Sequence, residues 1–224
     1  MFKHFVACSL LASFSFAAQQ YSATSTRFSP APINLDLSNR IAASVILDSA
    51  PTVDFQTSYV YKIWDGFDVG LGLHGGMIGQ DQLGGVIGTD LMLRYVRPVT
   101  FDFFLGFQSQ IGYTYTGMGN SALSKAEASS FPLTVGVVLG GIIQDRVEIY
   151  FFPACELGQT SNQNDRSMWK SGVGLRLTLG TAISLAENIF WVVESVPVIS
   201  NFTGSGPALK TFNVGTMTGL LFDF

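Results

Sequence analysis

His74 is the only histidine beyond residues 1–17, and Asp90 follows it on the next alternating segment, after the connection Gly79–Gly84. Folded back as a hairpin, the two segments bring Asp90 nearly opposite His74. A carboxylate on one ring nitrogen fixes the imidazole tautomer and leaves the other nitrogen free to act as a general base. One such pair is not a catalytic cluster. A histidine that simply has its hydrogen bonds satisfied is the preferred reading, with hydrolysis at His74/Asp90 as the lesser alternative.

Other chemical signals are weaker. Gly70-Leu-Gly72-Leu-His74-Gly75 has the G-x-G-x-x-G spacing, but it sits inside an alternating segment and not at a strand-to-helix turn, so no dinucleotide is expected. Cys155 is left alone once Cys8 is removed with a leader, which rules out an internal disulfide. Its parity puts it on the apolar face, where a thiol behaves as a small hydrophobe. Asn201-Phe-Thr203 matches the spacing of a glycosylation acceptor and is not read as a functional site. No metal site and no cofactor is expected.

The remaining charges suggest a different use. Charged residues make up 12% of the chain and hydrophobic ones 47%. Placing the apolar residues of each segment on one face sends nearly all segment charges to the other. Hairpin arithmetic then sets Lys62 against Asp68, Arg94 against Asp102 and Glu156 against Lys170, and brings Glu148 close to Arg176. Glu194 falls opposite Gly180, with no base across from it. Together with Asp90, and with Arg40, Asp54 and Asp223 on the same face, these residues form an expected lumen charge network. A charge facing lipid costs up to about 2–4 kcal/mol near the midplane, so it is turned inward and paired there. Acids outnumber bases in this set, so an open lumen would favour cations weakly.

The elements that position these residues are short alternating strands. Phe101, Phe103, Leu105 and Phe107 point one way while Asp102, Phe104, Gly106 and Gln108 point the other. Val173, Leu175, Leu177 and Leu179 likewise oppose Gly172, Gly174, Arg176 and Thr178. Ten strands are predicted, over 39–48, 52–63, 67–78, 85–97, 100–115, 131–143, 146–158, 168–183, 188–199 and 209–224, with eight or twelve as alternatives. Tight turns at Trp64–Gly66, Arg97–Val99, Gln144–Arg146 and Ala186–Asn188 alternate with the longer connections Gly79–Gly84, Gly117–Ser130, Gln159–Ser167 and Asn201–Ala208. Many of the 24 glycines fall on the inner face, where a narrow barrel needs small residues. Trp64, Phe101, Phe222 and Phe224 fall near one rim, and Tyr113, Tyr115, Trp169 and Phe212 near the other, as two aromatic girdles. The fold class is therefore all-β: a transmembrane, antiparallel up-and-down β-barrel of about ten strands, spanning 38–224.

The two ends supply the cellular context. Lys3 and His4 precede a mostly apolar stretch to Phe16, and Ser15-Phe16-Ala17 offers small residues for cleavage, so residues 1–17 read as a secretory signal peptide. Residues 18–37 read as an irregular periplasmic leader. Loss of the signal removes Lys3 and no acid, which makes the chain more acidic than its formal net charge of −4 and argues against nucleic-acid binding. At the other end, Phe212, Val214, Thr216, Thr218, Leu220, Phe222 and Phe224 share one face. This ending resembles the C-terminal signature of bacterial outer-membrane β-barrel proteins. The resemblance implies that Leu220, Phe222 and Phe224 form an assembly signal. It also implies export to the outer membrane of a Gram-negative cell, with periplasmic chaperones, the barrel-assembly machinery and outer-membrane lipid as partners.

The His74–Asp90 pair looks like part of the catalytic arrangement of the omptin proteases, which are also ten-stranded barrels. Those enzymes need a further aspartate pair and longer strands, and the lipid A deacylases need serine and glutamate beside the histidine. Neither cluster is evident here. The expected function is non-enzymatic: a narrow channel for small solutes or a structural membrane component, monomeric because closure removes the sheet edges. The alternative is a binding or adhesion module acting through its surface loops.

Overall fold

The computed structural model describes residues 39–48, 52–79, 83–100, 102–118, 126–143, 146–162, 169–204 and 209–224. The expected signal peptide and leader lie outside these residues. Ten strands are seen: β1 (Asn39–Asp48), β2 (Thr52–Trp64), β3 (Phe67–Gly79), β4 (Leu83–Pro98), β5 (Phe103–Met118), β6 (Ala126–Ile143), β7 (Val147–Asn162), β8 (Trp169–Ala186), β9 (Ile189–Gly204) and β10 (Leu209–Asp223). Each pairs antiparallel with its sequence neighbours, and β1 pairs with β10 to close the barrel. This is the up-and-down barrel that the alternation predicted. Following register partners from Arg40 through Val60, Gly70, Met92, Gln110, Thr134, Glu156, Gly174 and Ser200 brings the row to Thr211 on β10, whereas Arg40 itself faces Asp223 across the seam. That stagger is the shear that makes barrel strands tilt.

The wall is inside out relative to a soluble protein. Leu71, Leu73, Ile87, Phe107, Ile111, Val173, Leu175 and Leu179 are exposed on the outside, while Asp54, Asp90, Arg94, Gln108, Glu156 and Arg176 are buried inside. Apolar side chains gain nothing from facing water, so this outer band is a surface made for lipid. Cys155 lies on it, as its parity predicted. Trp64, Phe222 and Phe224 are exposed near the end with the short turns, and Phe212 and Tyr113 near the opposite end. Phe101 and the Trp169 side chain lie outside the described residues.

One turn shows its mechanism. Gly66 has φ 79°, a left-handed conformation that favours glycine, and its carbonyl accepts the Val96 N–H at 2.7 Å. This holds the tight β2–β3 turn against β4.

The segment boundaries differ from expectation at both ends of the wall. The strands run further into the long connections: β5 continues to Met118, β6 begins at Ala126, β7 ends at Asn162 and β9 at Gly204. Stretches such as Gln159-Thr-Ser-Asn162 lack alternation because nothing forces it where the wall leaves lipid. At the other end, the β4–β5 turn is centred on residues 99–102, with Val99 and Thr100 N–H groups both donating to the Phe103 carbonyl. Pro98 therefore ends the strand and does not occupy the middle of the turn.

Inside, the half nearer the short turns carries most of the buried apolar side chains. Val96, Phe104, Val138, Tyr150, Phe152, Ala182, Phe190, Val192, Met217 and Leu221 belong to one buried cluster, and Val60 and Met92 form a second, smaller one. Two of the larger groups fit because each lies across the ladder from a glycine. Phe104 faces Gly140 and Tyr150 faces Gly180, and a methyl at either glycine would overlap the ring.

Candidate functional site

The half of the lumen nearer the long connections is polar, and His74 is at its centre. Its side chain, and those of Asp54 and Asp90, have at most 1% exposure. His74 Nδ1 lies 3.2 Å from Asp54 Oδ2, and Nε2 lies 3.4 Å from Thr114 Oγ1 and 3.8 Å from Asp90 Oδ2. A carboxylate only accepts hydrogen bonds, so Nδ1–H donates to Asp54 and fixes the ring. The other nitrogen then faces a hydroxyl and a second carboxylate. Such an arrangement orients an imidazole firmly and can move a proton from one side of the ring to the other.

Local sequence explains how four polar groups share so small a space. Asp54, His74 and Asp90 are the register partners of Gly76, Gly88 and Gly112 on the next strand in each case. A methyl at Gly88 would overlap His74 Nε2, and one at Gly112 would overlap Asp90 Oδ1. Each side chain leans over a bare stretch of backbone towards the next, forming a staircase across β2, β3 and β4.

Asp90 is placed as the hairpin register predicted, one inward step from direct opposition: it pairs with Gly72, and His74 with Gly88. Asp54 and Thr114 were missed as partners of His74. A signal for Asp54 was present, because the Trp64–Gly66 turn that sets Lys62 against Asp68 also sets Asp54 against Gly76, beside His74.

The expected charge pairs are largely redistributed. Lys62 does face Asp68 in register, yet Lys62 Nζ reaches Asp65 Oδ1 of the adjacent turn at 3.1 Å. Asp68 Oδ2 instead receives Arg94 from β4, with Nη2 at 2.5 Å and Nε at 3.0 Å, and Arg40 Nη2 from β1 at 3.0 Å. Asp68 and Arg94 are direct register partners.

Asp102 is corrected. It is exposed in the β4–β5 turn, and Arg94 faces Gln108 on β5. Glu156 faces Gly174 and Lys170 faces Thr160, because the longer β7 moves the register. Glu156 and Arg176, both buried, are then one inward step apart. Glu148 faces Ala182 and is remote from Arg176, which faces Ala154. The Lys170 side chain lies outside the described residues.

Glu194 does face Gly180, as expected, and its partner comes from two strands away. Tyr150, on the far side of Gly180, donates its hydroxyl proton to Glu194 Oε1 at 2.5 Å. The glycine between them leaves the path open. Asp223 is buried at the seam, in register with Arg40, and Leu220, Phe222 and Phe224 face outward beside it. Among the described residues no group of three or more metal-ligating side chains is arranged to hold a metal ion.

No protein-family model matches the chain, and no curated protein does. Similar folds occur among solved structures of outer-membrane barrels. The KdgM porin is 10% identical, with a TM-score of 0.40 over 83% of this chain and 99% of that one. The outer membrane protease OmpT from Escherichia coli is 8% identical, with a TM-score of 0.48 over 91% of this chain and 100% of that one. Ail, the attachment invasion locus protein of Yersinia pestis, is 14% identical, with a TM-score of 0.38 over 84% of this chain and 99% of that one.

Proposed function

We propose that the chain is an integral outer-membrane β-barrel protein that serves as a non-conducting, non-enzymatic component of the membrane. The observation that carries this reading is the packed half-lumen. Phe104, Val138, Tyr150 and Phe152 are at most 2% exposed, and the opposite side is filled by the Arg40–Asp68–Arg94 group. Ten-stranded walls lie between barrels filled by side chains and barrels that leave a channel, and the buried side chains support the filled reading. The C-terminal aromatic row supports delivery by the barrel-assembly machinery. The similar folds include a porin, a protease and an attachment protein, so the architecture by itself selects none of these roles.

The test is single-channel recording of the refolded protein in a planar bilayer. A silent membrane containing correctly folded barrel is expected. Discrete openings with cation preference would overturn the closed reading and return the inward acids to the role of a pore lining.

Hydrolysis has one observation in its favour: the order Asp54, His74, Thr114 is that of carboxylate, imidazole and hydroxyl in an acyl-transfer site. Its burial opposes it, since a substrate carbonyl must come within about 3 Å of the hydroxyl. Ester or peptide hydrolysis that His74→Ala abolishes would establish this reading, and none is expected.

A further inference from the structure

A groove of about 610 Å³ crosses the outer face of the wall, lined by Phe131, Leu133, Leu157, Gln159, Ser171, Val173 and Asn201. That size falls within the range of about 300–1,000 Å³ typical of ligand sites. Its shape follows from the register. Leu133, Leu157, Val173 and Asn201 form one row across β6, β7, β8 and β9, and Phe131, Gln159 and Ser171 form the next row towards the long connections. Between the rows the floor is the backbone of the Gly158–Gly172 pair, whose side-chain positions face the lumen.

The polarity of the groove changes across its width. Leu157 and Val173 are exposed on the side towards the middle of the wall. Gln159 and Ser171 stand on the side towards the rim, and Asn201 closes one end. Elsewhere the wall stays apolar at comparable positions, with Phe55, Met77 and Ile87 exposed near the same end of β2, β3 and β4. Phe131 packs against Tyr113 with ring centroids 4.9 Å apart, the kind of aromatic pair that marks a lipid–water boundary. The groove therefore straddles that boundary, with an apolar flank in hydrocarbon and a flank of uncharged hydrogen-bonding groups above it.

We propose that this groove binds one glycolipid of the outer leaflet. An acyl chain lies against Leu133, Leu157 and Val173, and headgroup hydroxyls meet Gln159, Ser171 and Asn201 beside the Phe131 ring. Amide and hydroxyl side chains both donate and accept, which suits sugar hydroxyls; among the described lining residues there is no cation to select a phosphate. The inference rests on the outer-membrane reading above.

The experiment reconstitutes the refolded protein in phosphatidylethanolamine vesicles with or without rough lipopolysaccharide, extracts it into mild detergent and measures retained lipid by native mass spectrometry. Lipopolysaccharide should be retained in preference to phospholipid. Ser171→Trp and Val173→Trp, which fill the groove, should each lower its retention by about tenfold or more. Gln159→Ala with Asn201→Ala should weaken retention without changing insertion. Leu91→Trp, on the outer face of β4, should have no effect. Equal retention by wild type and Ser171→Trp, or retention of phospholipid as readily as lipopolysaccharide, would overturn the groove while leaving the membrane reading intact. Failure of the wild type to enter vesicles as a protease-resistant barrel would overturn both.

Discussion

Gly88 lies directly across the β3–β4 ladder from His74, and a methyl group on it would overlap the imidazole Nε2. The relationship recurs between Asp90 and Gly112 and between Tyr150 and Gly180. The inward glycines at 88, 112, 140 and 180 are therefore matched to the larger groups they face.

Gly88→Ala should accordingly destabilise the barrel by about 1–3 kcal/mol, the usual cost of forcing atoms into a filled interior. Gly85→Ala is the control, because a methyl there meets nothing within 4 Å. Urea unfolding of the two variants in lipid vesicles should show a lowered midpoint for Gly88→Ala alone.

Asp68 holds two arginines on one carboxylate oxygen, with Arg40 arriving from β1 and Arg94 from β4. Asp68→Ala leaves both guanidinium groups buried without that partner and should cost about 3–5 kcal/mol. Changing Asp68 and Arg94 together to apolar residues should cost less than Asp68→Ala. A double variant less stable than the single one would refute the shared-carboxylate account.

The lumen block can be removed on purpose. Phe104→Ala with Tyr150→Ala deletes two rings that are 2% and 1% exposed, and should turn a silent barrel into one with discrete conductance steps. Heat-modifiable migration on gels verifies folding. A folded double variant that stays silent would locate the block elsewhere.

Cys155 shares its outward row with Val135 and Leu175. In vesicles it should resist a charged, water-soluble maleimide and react with an apolar one. Denaturation should make both reagents equally effective. Rapid labelling by the charged reagent would mean that this face is not covered by lipid.

The strands were readable from sequence because lipid on one side and a crowded interior on the other impose a strict two-residue period. β1 spans residues 39–48, as that period alone indicates. The period lapses where both faces meet water, and this is why Gln159–Asn162 looked like loop and Glu156 was set against the wrong residue. Partnerships across the lumen were less readable still. The Tyr150–Glu194 bond and the Arg40–Asp68 pair each skip a strand. Neighbour-to-neighbour arithmetic does not reach contacts that pass over a glycine. The Asp54–His74 contact lay within its reach, one inward step from a pairing the β2–β3 turn already determines.

β1 has 10 residues where β6 and β8 have 18, so its seam with β10 is a short joint in the wall. Residues 39 and 224 meet at the same rim, with the Phe224 N–H donating to the Asn39 carbonyl. A mechanical load drawing these two residues apart would act along the seam's hydrogen bonds, perpendicular to the strands, and so on one bonded pair at a time. The seam would unzip one pair at a time from Arg40 and Asp223 instead of shearing as a unit. Through its hold on Asp68, Arg40 would keep β1 with β3 and β4, so the torn barrel would open as a single sheet with its N-terminal edge intact.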